Sequence, residues 1–131
     1  MNTLLKGRIG EVAVHLNLIS NYDFNLYFPD VDDRGVDLLV ETSPSDFIKV
    51  QIKTVSAPNK NSSIEISVKD LDKQGDSRYD VLALYVVSLD KIAYIPYDKG
   101  RHSYTLALSP AKNNQREGRT WFYEYLMFPL K

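Results

Sequence analysis

Residues 36–54 alternate between apolar and polar types on both sides of a short polar turn. On the first arm Val36, Leu38 and Val40 share one parity, and an equivalent apolar set follows on the second arm: Ile48, Val50 and Ile52. A period of two residues is typical of a strand with one buried face. The stretch therefore predicts two antiparallel strands closed by the turn 42–46.

The register of this hairpin decides which polar side chains become neighbours. We predict that Glu41 lies opposite Phe47. Counting along both strands then places Asp37 opposite Gln51, with Lys53 one pleat further along the same face. A carboxylate, an amide and an amine would share one rigid polar surface. The alternative is a surface hairpin whose cross-strand charge pairs contribute little.

A long helix precedes the hairpin. Thr3 is a residue type that caps helices, and five apolar residues follow it at helical spacing, which predicts that they form the core face: Leu5, Ile9, Val12, Leu16 and Ile19. Three polar residues fall together on one flank of this face: Arg8, Glu11 and His15.

Two glycines lie on another side of the same helix, together with Val14 and Leu18. Glycine inside a helix costs about 1 kcal/mol relative to alanine. Gly7 and Gly10 therefore predict close contact with another backbone or chain, unless the pair is simply tolerated.

Apolar runs elsewhere predict five further strands, at 24–28, 64–68, 79–87, 92–97 and 104–108. The run 79–87 is the expected central strand, and Pro96 should end its strand or place it at a sheet edge. Residues 121–128 predict a closing helix or strand. The expected architecture is α/β, with a mixed central β-sheet of about five to seven strands and the N-terminal helix packed on it.

The length and composition narrow the class of protein. A chain of 131 residues fits one domain, residues 1–131. The net charge of −1 gives no overall attraction to nucleic acid, so such binding must depend on local basic patches. No cysteine is present, which excludes disulfides and thiolate metal sites. No signal or long apolar run is present, so we expect a soluble cytoplasmic protein without a membrane partner.

Two polar loops are candidates for DNA contact. The loop 112–119 offers cations for phosphates and amides for bases or backbone: Lys112, Asn113, Asn114, Gln115, Arg116 and Arg119. Lys60, in the loop 56–63, is a second candidate. Either loop can instead be a solvated surface segment. We interpret His15 and His102 as helix-flank and loop residues rather than metal ligands.

The polar face of the hairpin has the groups that metal-assisted phosphodiester hydrolysis requires, namely hard oxygen ligands and a cation. Asp37 offers a carboxylate, and the Gln51 amide oxygen and the Ile52 carbonyl are weaker ligands. Lys53 can orient water or offset charge on the phosphate. Glu11 would add a second carboxylate from the helix.

Three segments carry a resemblance to a known family. Gly7-Arg8-Ile9-Gly10-Glu11 on the helix, Gly35-Val36-Asp37-Leu38 on one strand and Val50-Gln51-Ile52-Lys53-Thr54 on the next resemble the PD-(D/E)XK nuclease superfamily. Residues 79–85, 94–96 and 112–119 resemble the branch that contains group-I-intron homing endonucleases and related uncharacterised proteins. The resemblance implies a restriction-endonuclease-like core.

The resemblance also implies a site made of Glu11, Asp37, Gln51 and Lys53, with Mg²⁺ as cofactor and Mn²⁺ as a substitute. Glu11, Asp37 and Gln51 would be the metal ligands. Gln51 departs from the usual Asp or Glu, and the lost charge should weaken metal binding, although some branches carry Gln there. Asp30 follows Pro29 but precedes the strand, so we do not take it as the motif acid.

The resulting hypothesis is a Mg²⁺-dependent endonuclease that hydrolyses double-stranded DNA, of homing or restriction-like type. One such site cuts one strand, so a homo-oligomer, dimer or larger, is expected. Two alternative functions are compatible with the same residues. One is a weakly active or inactive nuclease-fold protein that binds DNA or regulates excision or recombination, and the other is a Holliday-junction resolvase.

Overall fold

The computed structural model describes residues 2–30, 35–67, 79–98, 103–109 and 120–130. Its elements are α1 Thr3–Tyr22, β1 Asn25–Tyr27, β2 Leu38–Ser43, β3 Asp46–Val55, β4 Ser63–Ser67, β5 Val81–Val86, β6 Lys91–Pro96, β7 Ser103–Ala107 and a 3₁₀ helix Phe122–Tyr125. Five strands form one sheet in the order β1-β2-β3-β5-β6, and β4 pairs with β7. Only β3 and β5 run parallel among these described pairs, so the main sheet is mixed, as predicted.

The predicted hairpin forms with the predicted register. Glu41 pairs with Phe47, and Leu38 pairs with Val50 at the other end of β2. The apolar parity of both strands is buried, from Leu38 to Ile52. The turn is tighter than expected, because pairing continues to Ser43 and Asp46. Alternation and a short polar turn leave few registers that bury one whole face, which is why the sequence specifies this one.

The prediction for the core face of α1 is wrong. The residues that α1 buries are Gly10, Val14 and Leu18, whereas all five predicted core residues are exposed: Leu5, Ile9, Val12, Leu16 and Ile19. The physical reason is the close approach of α1 to β3. A Cβ atom on Gly10 would lie 1.8 Å from Thr54 Oγ1, so the face that packs on β3 is the one that has glycine at the point of closest approach.

The glycine prediction holds for one of the two residues. Gly10 is in close contact with β3, although through the Thr54 side chain rather than backbone. A Cβ atom on Gly7 would meet nothing within 4 Å among the described atoms, so Gly7 is a tolerated glycine. The N-cap also differs from the prediction. Asn2 caps α1 by accepting a hydrogen bond from the Leu5 N–H at 2.8 Å.

Two apolar layers cover the main sheet. On the side of α1, Val14 and Leu18 pack with the buried faces of β2, β3, β5 and β6. On the other side, β4, β7 and Phe122 pack against the alternate residues of β5 and β6. All six residues of β5 are buried because both of its faces are covered, which agrees with its continuous apolar sequence.

The remaining strands form with shifted ends, but the expected central strand is not the central one: β5 is fourth of the five strands, and β3 lies in the middle. β6 is an edge strand of the main sheet and ends at Pro96, as the missing N–H of proline requires. The C-terminal segment forms neither of the predicted regular elements. It contributes a single bridge from Trp121 to Ala107 and then the 3₁₀ helix. Across the described residues, none of the helices has the length and apolar character needed to span a membrane.

Candidate active site

Asp37 is held beside Gln51 by two hydrogen bonds. Its backbone N–H donates to the Val50 carbonyl at 2.8 Å, and its Oδ2 accepts from the Ile52 N–H at 2.7 Å. Val50 and Ile52 flank Gln51 on β3, so these two bonds fix Asp37 beside this part of the strand. Asp37 itself precedes β2, whose pairing with β3 starts at Leu38 and Val50. A carboxylate that accepts a backbone N–H is a charge-assisted and therefore well-oriented acceptor.

Gln51 has a buried acceptor without a partner. Its side-chain Oε1 is shielded from solvent and has no hydrogen-bond donor among the described residues. It lies near Gly35, where a Cβ atom would be 3.7 Å from Oε1 and where φ is +72°. An unsatisfied buried acceptor costs about 1–3 kcal/mol. In native proteins such an atom usually marks an ion, a water molecule or a functional strain.

Glu11 and Asp37 line the same pocket, which has a volume of about 240 Å³ and the following lining residues: Arg8, Glu11, His15, Phe28, Pro29 and Asp37. Arg8 Nη1 and Glu11 Oε2 form an ion pair at 3.0 Å, one turn apart on α1. The contact of Gly10 with Thr54 brings this part of α1 close to β3. The helix therefore delivers a second carboxylate to the position of Asp37.

His15 is a neutral, partly apolar wall of this pocket. Its ring lies edge-on to Phe28, with 4.7 Å between ring centroids. Burial lowers the pKa of His15 below its ordinary value of 6.5, Glu11 opposes this shift, and Arg8 adds to it. The interpretation of His15 as a helix-flank residue agrees with these contacts.

Lys53 lies one pleat beyond Gln51 on β3, half-buried and beside Leu84 of β5 in the parallel register. The side chains of Gln51 and Lys53 have the opposite parity on β3 from Ile52, which packs on the α1 side. Neither Gln51 nor Lys53 is among the described residues that line the pocket shared by Glu11 and Asp37. The structure thus brings Glu11 and Asp37 together in one pocket, ties Asp37 to the β3 backbone on both sides of Gln51, and places Lys53 next along the strand.

The donor set fits a hard divalent cation. Asp37 and Glu11 offer carboxylate oxygens, and the unpartnered Gln51 Oε1 offers an amide oxygen, which are the ligand types that Mg²⁺ prefers. Among the described residues, no group of three Asp, Glu or His side chains is placed to hold a metal ion. The Gln51 amide oxygen, which has no partner among the described residues, is the candidate for a third protein ligand in this part of the chain.

Of the residues predicted to contact DNA, the structure describes Lys60. Lys60 is exposed in a turn that Asn59 organises, because Asn59 Oδ1 accepts from the N–H groups of Asn61 and Ser63. All six candidates in the loop 112–119 lie outside the described residues: Lys112, Asn113, Asn114, Gln115, Arg116 and Arg119. His102 also lies outside them.

Sequence reasoning missed the part that Arg8, Phe28 and Pro29 play in the pocket. The signal for Arg8 was present, since opposite charges three residues apart on a helix form ion pairs. The positions of Phe28 and Pro29 depend on how the segment after β1 folds back toward α1. No local pattern in the sequence encodes that path.

Comparison with known proteins agrees with the fold. A family model described as PD-(D/E)XK endonuclease matches residues 1–128, so the chain belongs to that family. A solved structure of a bacterial homing endonuclease, I-Ssp6803I, superposes with a TM-score of 0.74. The alignment has 21% identity and covers 95% of this chain and 86% of the other. A search of curated proteins gives no match.

Proposed function

We propose that this protein is a divalent-metal-dependent DNA endonuclease of homing or restriction-like type, with Mg²⁺ as the physiological ion and Mn²⁺ as a substitute. The observation that carries the proposal is the buried, unpartnered Gln51 Oε1 on the strand whose backbone anchors Asp37. A cation at this point would satisfy the amide oxygen and be neutralised by Asp37 and Glu11. The similarity to a homing endonuclease supports duplex DNA as the substrate.

In this proposal Asp37, Glu11 and Gln51 hold the metal. When bound, the ion would acidify a water molecule and offset the negative charge that develops on the phosphate. The Ile52 N–H keeps the Asp37 carboxylate oriented, and Arg8 holds Glu11 through the 3.0 Å ion pair. The Lys53 ammonium orients the attacking water or stabilises the charge on the phosphate.

DNA contacts away from the reacting phosphate would come from basic residues, because a net charge of −1 gives no general attraction. We assign this role to Lys60 and to the basic residues of the loop 112–119, together with the amide side chains beside them. The loop residues are Lys112, Asn113, Asn114, Gln115, Arg116 and Arg119. Each phosphate contact should steepen the dependence of affinity on salt concentration.

The test is cleavage of supercoiled plasmid in Mg²⁺ or Mn²⁺ by the wild type and its variants. We expect Asp37→Ala and Lys53→Ala to lose at least roughly 100-fold in nicking rate. Asp37→Asn keeps an acceptor for the Ile52 N–H, so it should remain folded while losing activity. Lys49→Ala, an exposed lysine on the same strand, is the matched control and should stay active.

Equal nicking by the wild type, Asp37→Ala and Lys53→Ala would identify the activity as a contaminant. Loss of activity in Lys49→Ala as well would show that general charge, rather than the position of Lys53, decides the rate. Either result removes the central assignment.

A second candidate is a nuclease-fold protein that binds DNA or regulates excision or recombination without cleavage. The observation that favours it is Gln51 in place of an acid, which leaves the described residues without a cluster of three acidic or histidine ligands. Calorimetric titration separates the two functions. Metal binding at millimolar concentration that disappears in Asp37→Asn supports the nuclease, and no binding to the wild type supports the second candidate.

A further inference from the structure

The side of α1 that faces away from the sheet carries an unbroken row of aliphatic side chains, here called the outer apolar face: Leu5, Ile9, Val12, Leu16 and Ile19. Their exposed fractions range from 38% for Ile9 to 64% for Leu16. The helix makes its buried contacts with the opposite side, through Gly10, Val14 and Leu18. Packing within the described part of the chain therefore does not account for five aliphatic residues on the outside.

A groove of about 650 Å³ runs between this face and the turn that joins β5 to β6. Aliphatic side chains of the helix make up most of its lining, and Arg8 and Asp90 are the two charged residues among the described residues that line it. An apolar centre with charged residues at the margin is the usual anatomy of a protein interface.

We propose that the outer apolar face binds the same face of a second copy of this chain. Five contiguous, half-exposed aliphatic side chains form a patch on the order of 400 Å², and a symmetric pair with its rim would bury on the order of 1,000 Å², the size expected of a specific interface. In a two-fold arrangement each contact between the copies occurs twice, so Arg8 of either copy can face Asp90 of the other. The groove is thus complementary in charge to itself.

Other occupants fit this surface less well. Duplex DNA requires several cations along its path, and in the part of the chain that the structure describes Arg8 is the one cation that lines the groove. A helix that lies in a membrane surface is usually rich in Lys and Arg, whereas Lys6 and Arg8 are the only two on α1. Pairing with a second copy of the chain does not require a row of cations.

This inference rests on the proposed function. An endonuclease that cuts both strands of a duplex requires two active sites, and each copy of the chain supplies one. Glu11 is next to Val12 in the sequence, and Val12 is the middle residue of the outer apolar face. Pairing through this face would therefore place a candidate site at each margin of one interface.

The first test measures the mass of the metal-free protein by sedimentation. We expect the wild type to sediment with at least twice the 15.0 kDa of one chain. Leu16→Glu should raise the dissociation constant at least about tenfold, because it would bury an unpaired charge in the pair. Tyr123→Glu is the matched control, since Tyr123 is similarly exposed at 52% beside Phe122 in the apolar layer on the other side of the sheet.

The second test uses the absence of cysteine from the chain. Near a two-fold axis a residue approaches its own copy, so a single cysteine there can form a disulfide between two chains. We expect Val12→Cys or Leu16→Cys to give a covalent dimer under mild oxidation, whereas Tyr123→Cys should stay monomeric on a denaturing gel.

Circular dichroism and thermal unfolding of each variant establish that it is folded. A wild type that stays monomeric throughout the micromolar range would overturn the inference, as would an assembly that Leu16→Glu leaves unchanged. Binding of a monomeric wild type to neutral vesicles would assign the face to membrane and also overturn it. Neither mass nor cross-linking involves DNA or metal, so a failed nuclease assay does not affect these results.

Discussion

At the scale of single residues, the oxygen of Gln51 is the most informative atom in the site. If this oxygen is a cation ligand, its removal should not destabilise the metal-free protein. We predict that Gln51→Met, which is close in shape, leaves the free energy of unfolding without metal unchanged or raises it by up to about 1–3 kcal/mol. Metal-dependent nicking should be lost. Chemical unfolding in chelator and the plasmid assay measure the two effects.

A destabilisation of Gln51→Met in chelator would show that Oε1 has a stabilising donor in the metal-free protein, and the site would lose its main support. Gln51→Glu is the companion variant. It restores the acid that the family usually carries, so its affinity for Mg²⁺ in calorimetry should exceed that of the wild type.

His15 makes a prediction about pH. Burial lowers the pKa of His15 below 6.5 in the folded protein, so the unfolded chain takes up this proton first as the pH falls. The stability that neutral His15 contributes is therefore present above pH 6.5 and is lost as the pH drops from that value toward the lowered pKa. The unfolding temperature of the wild type should fall more steeply over this range than that of His15→Gln.

The comparison with His15→Gln removes the contribution of the carboxylates, which titrate in both proteins. Identical pH dependence of the two unfolding temperatures would mean that the folded protein does not desolvate His15. The reverse order, with the wild type less sensitive to pH, would mean that Glu11 outweighs burial and raises the pKa.

At the scale of elements, the packing of α1 on β3 depends on one small residue. Gly10→Ala would place Cβ 1.8 Å from Thr54 Oγ1 and 3.0 Å from Thr54 Cβ, so a backbone or side chain must shift. We predict a destabilisation of about 1–3 kcal/mol. Gly7→Ala, three residues earlier on the same helix, should stabilise by about 0.5–1 kcal/mol, because space is open there.

Denaturant unfolding of both variants measures the difference. Thr54→Ala combined with Gly10→Ala should recover part of the loss, since the nearest atom, Oγ1, is then absent. Equal effects of the two alanines would contradict the packing of α1 on this strand and, with it, the position of Glu11.

The same helix shows where sequence reasoning reaches its limit. α1 has two apolar stripes, one aliphatic and large and one built from Gly10, Val14 and Leu18. Periodicity shows that both exist, but the choice between them depends on the distance to β3, which is a tertiary property. The larger stripe was the natural prediction and it was wrong because the sheet leaves room only for the smaller one.

The hairpin was predictable for the opposite reason. Its register follows from a period of two and from a short turn, both of which are local, and Glu41 does face Phe47. The neighbourhood of Asp37 and Gln51 followed from that register. The pocket with Arg8, His15 and Phe28 did not follow, because it joins segments whose relative path no local pattern describes.

At the scale of the whole molecule, the two sides of the sheet have different neighbours. The layer with β4 and β7 covers one side, and α1 covers the other while keeping its larger apolar stripe outside. Five aliphatic side chains exposed to solvent lower the solubility of a single chain and do not contribute to its stability. The exposed apolar stripe is explained if an assembly of chains, in which the stripe is buried, is the functional unit.

This view predicts how an assembly with one inactive chain behaves. Wild-type and Asp37→Asn chains carrying different tags can be co-expressed and purified through both tags to give mixed pairs. If each chain cuts one strand, a mixed pair should convert supercoiled plasmid to nicked circles and produce little linear DNA. Wild-type pairs that carry the same two tags are the control and should produce linear DNA. Linear product from mixed pairs at the control rate would mean that one chain cuts both strands, and the need for a second copy would disappear.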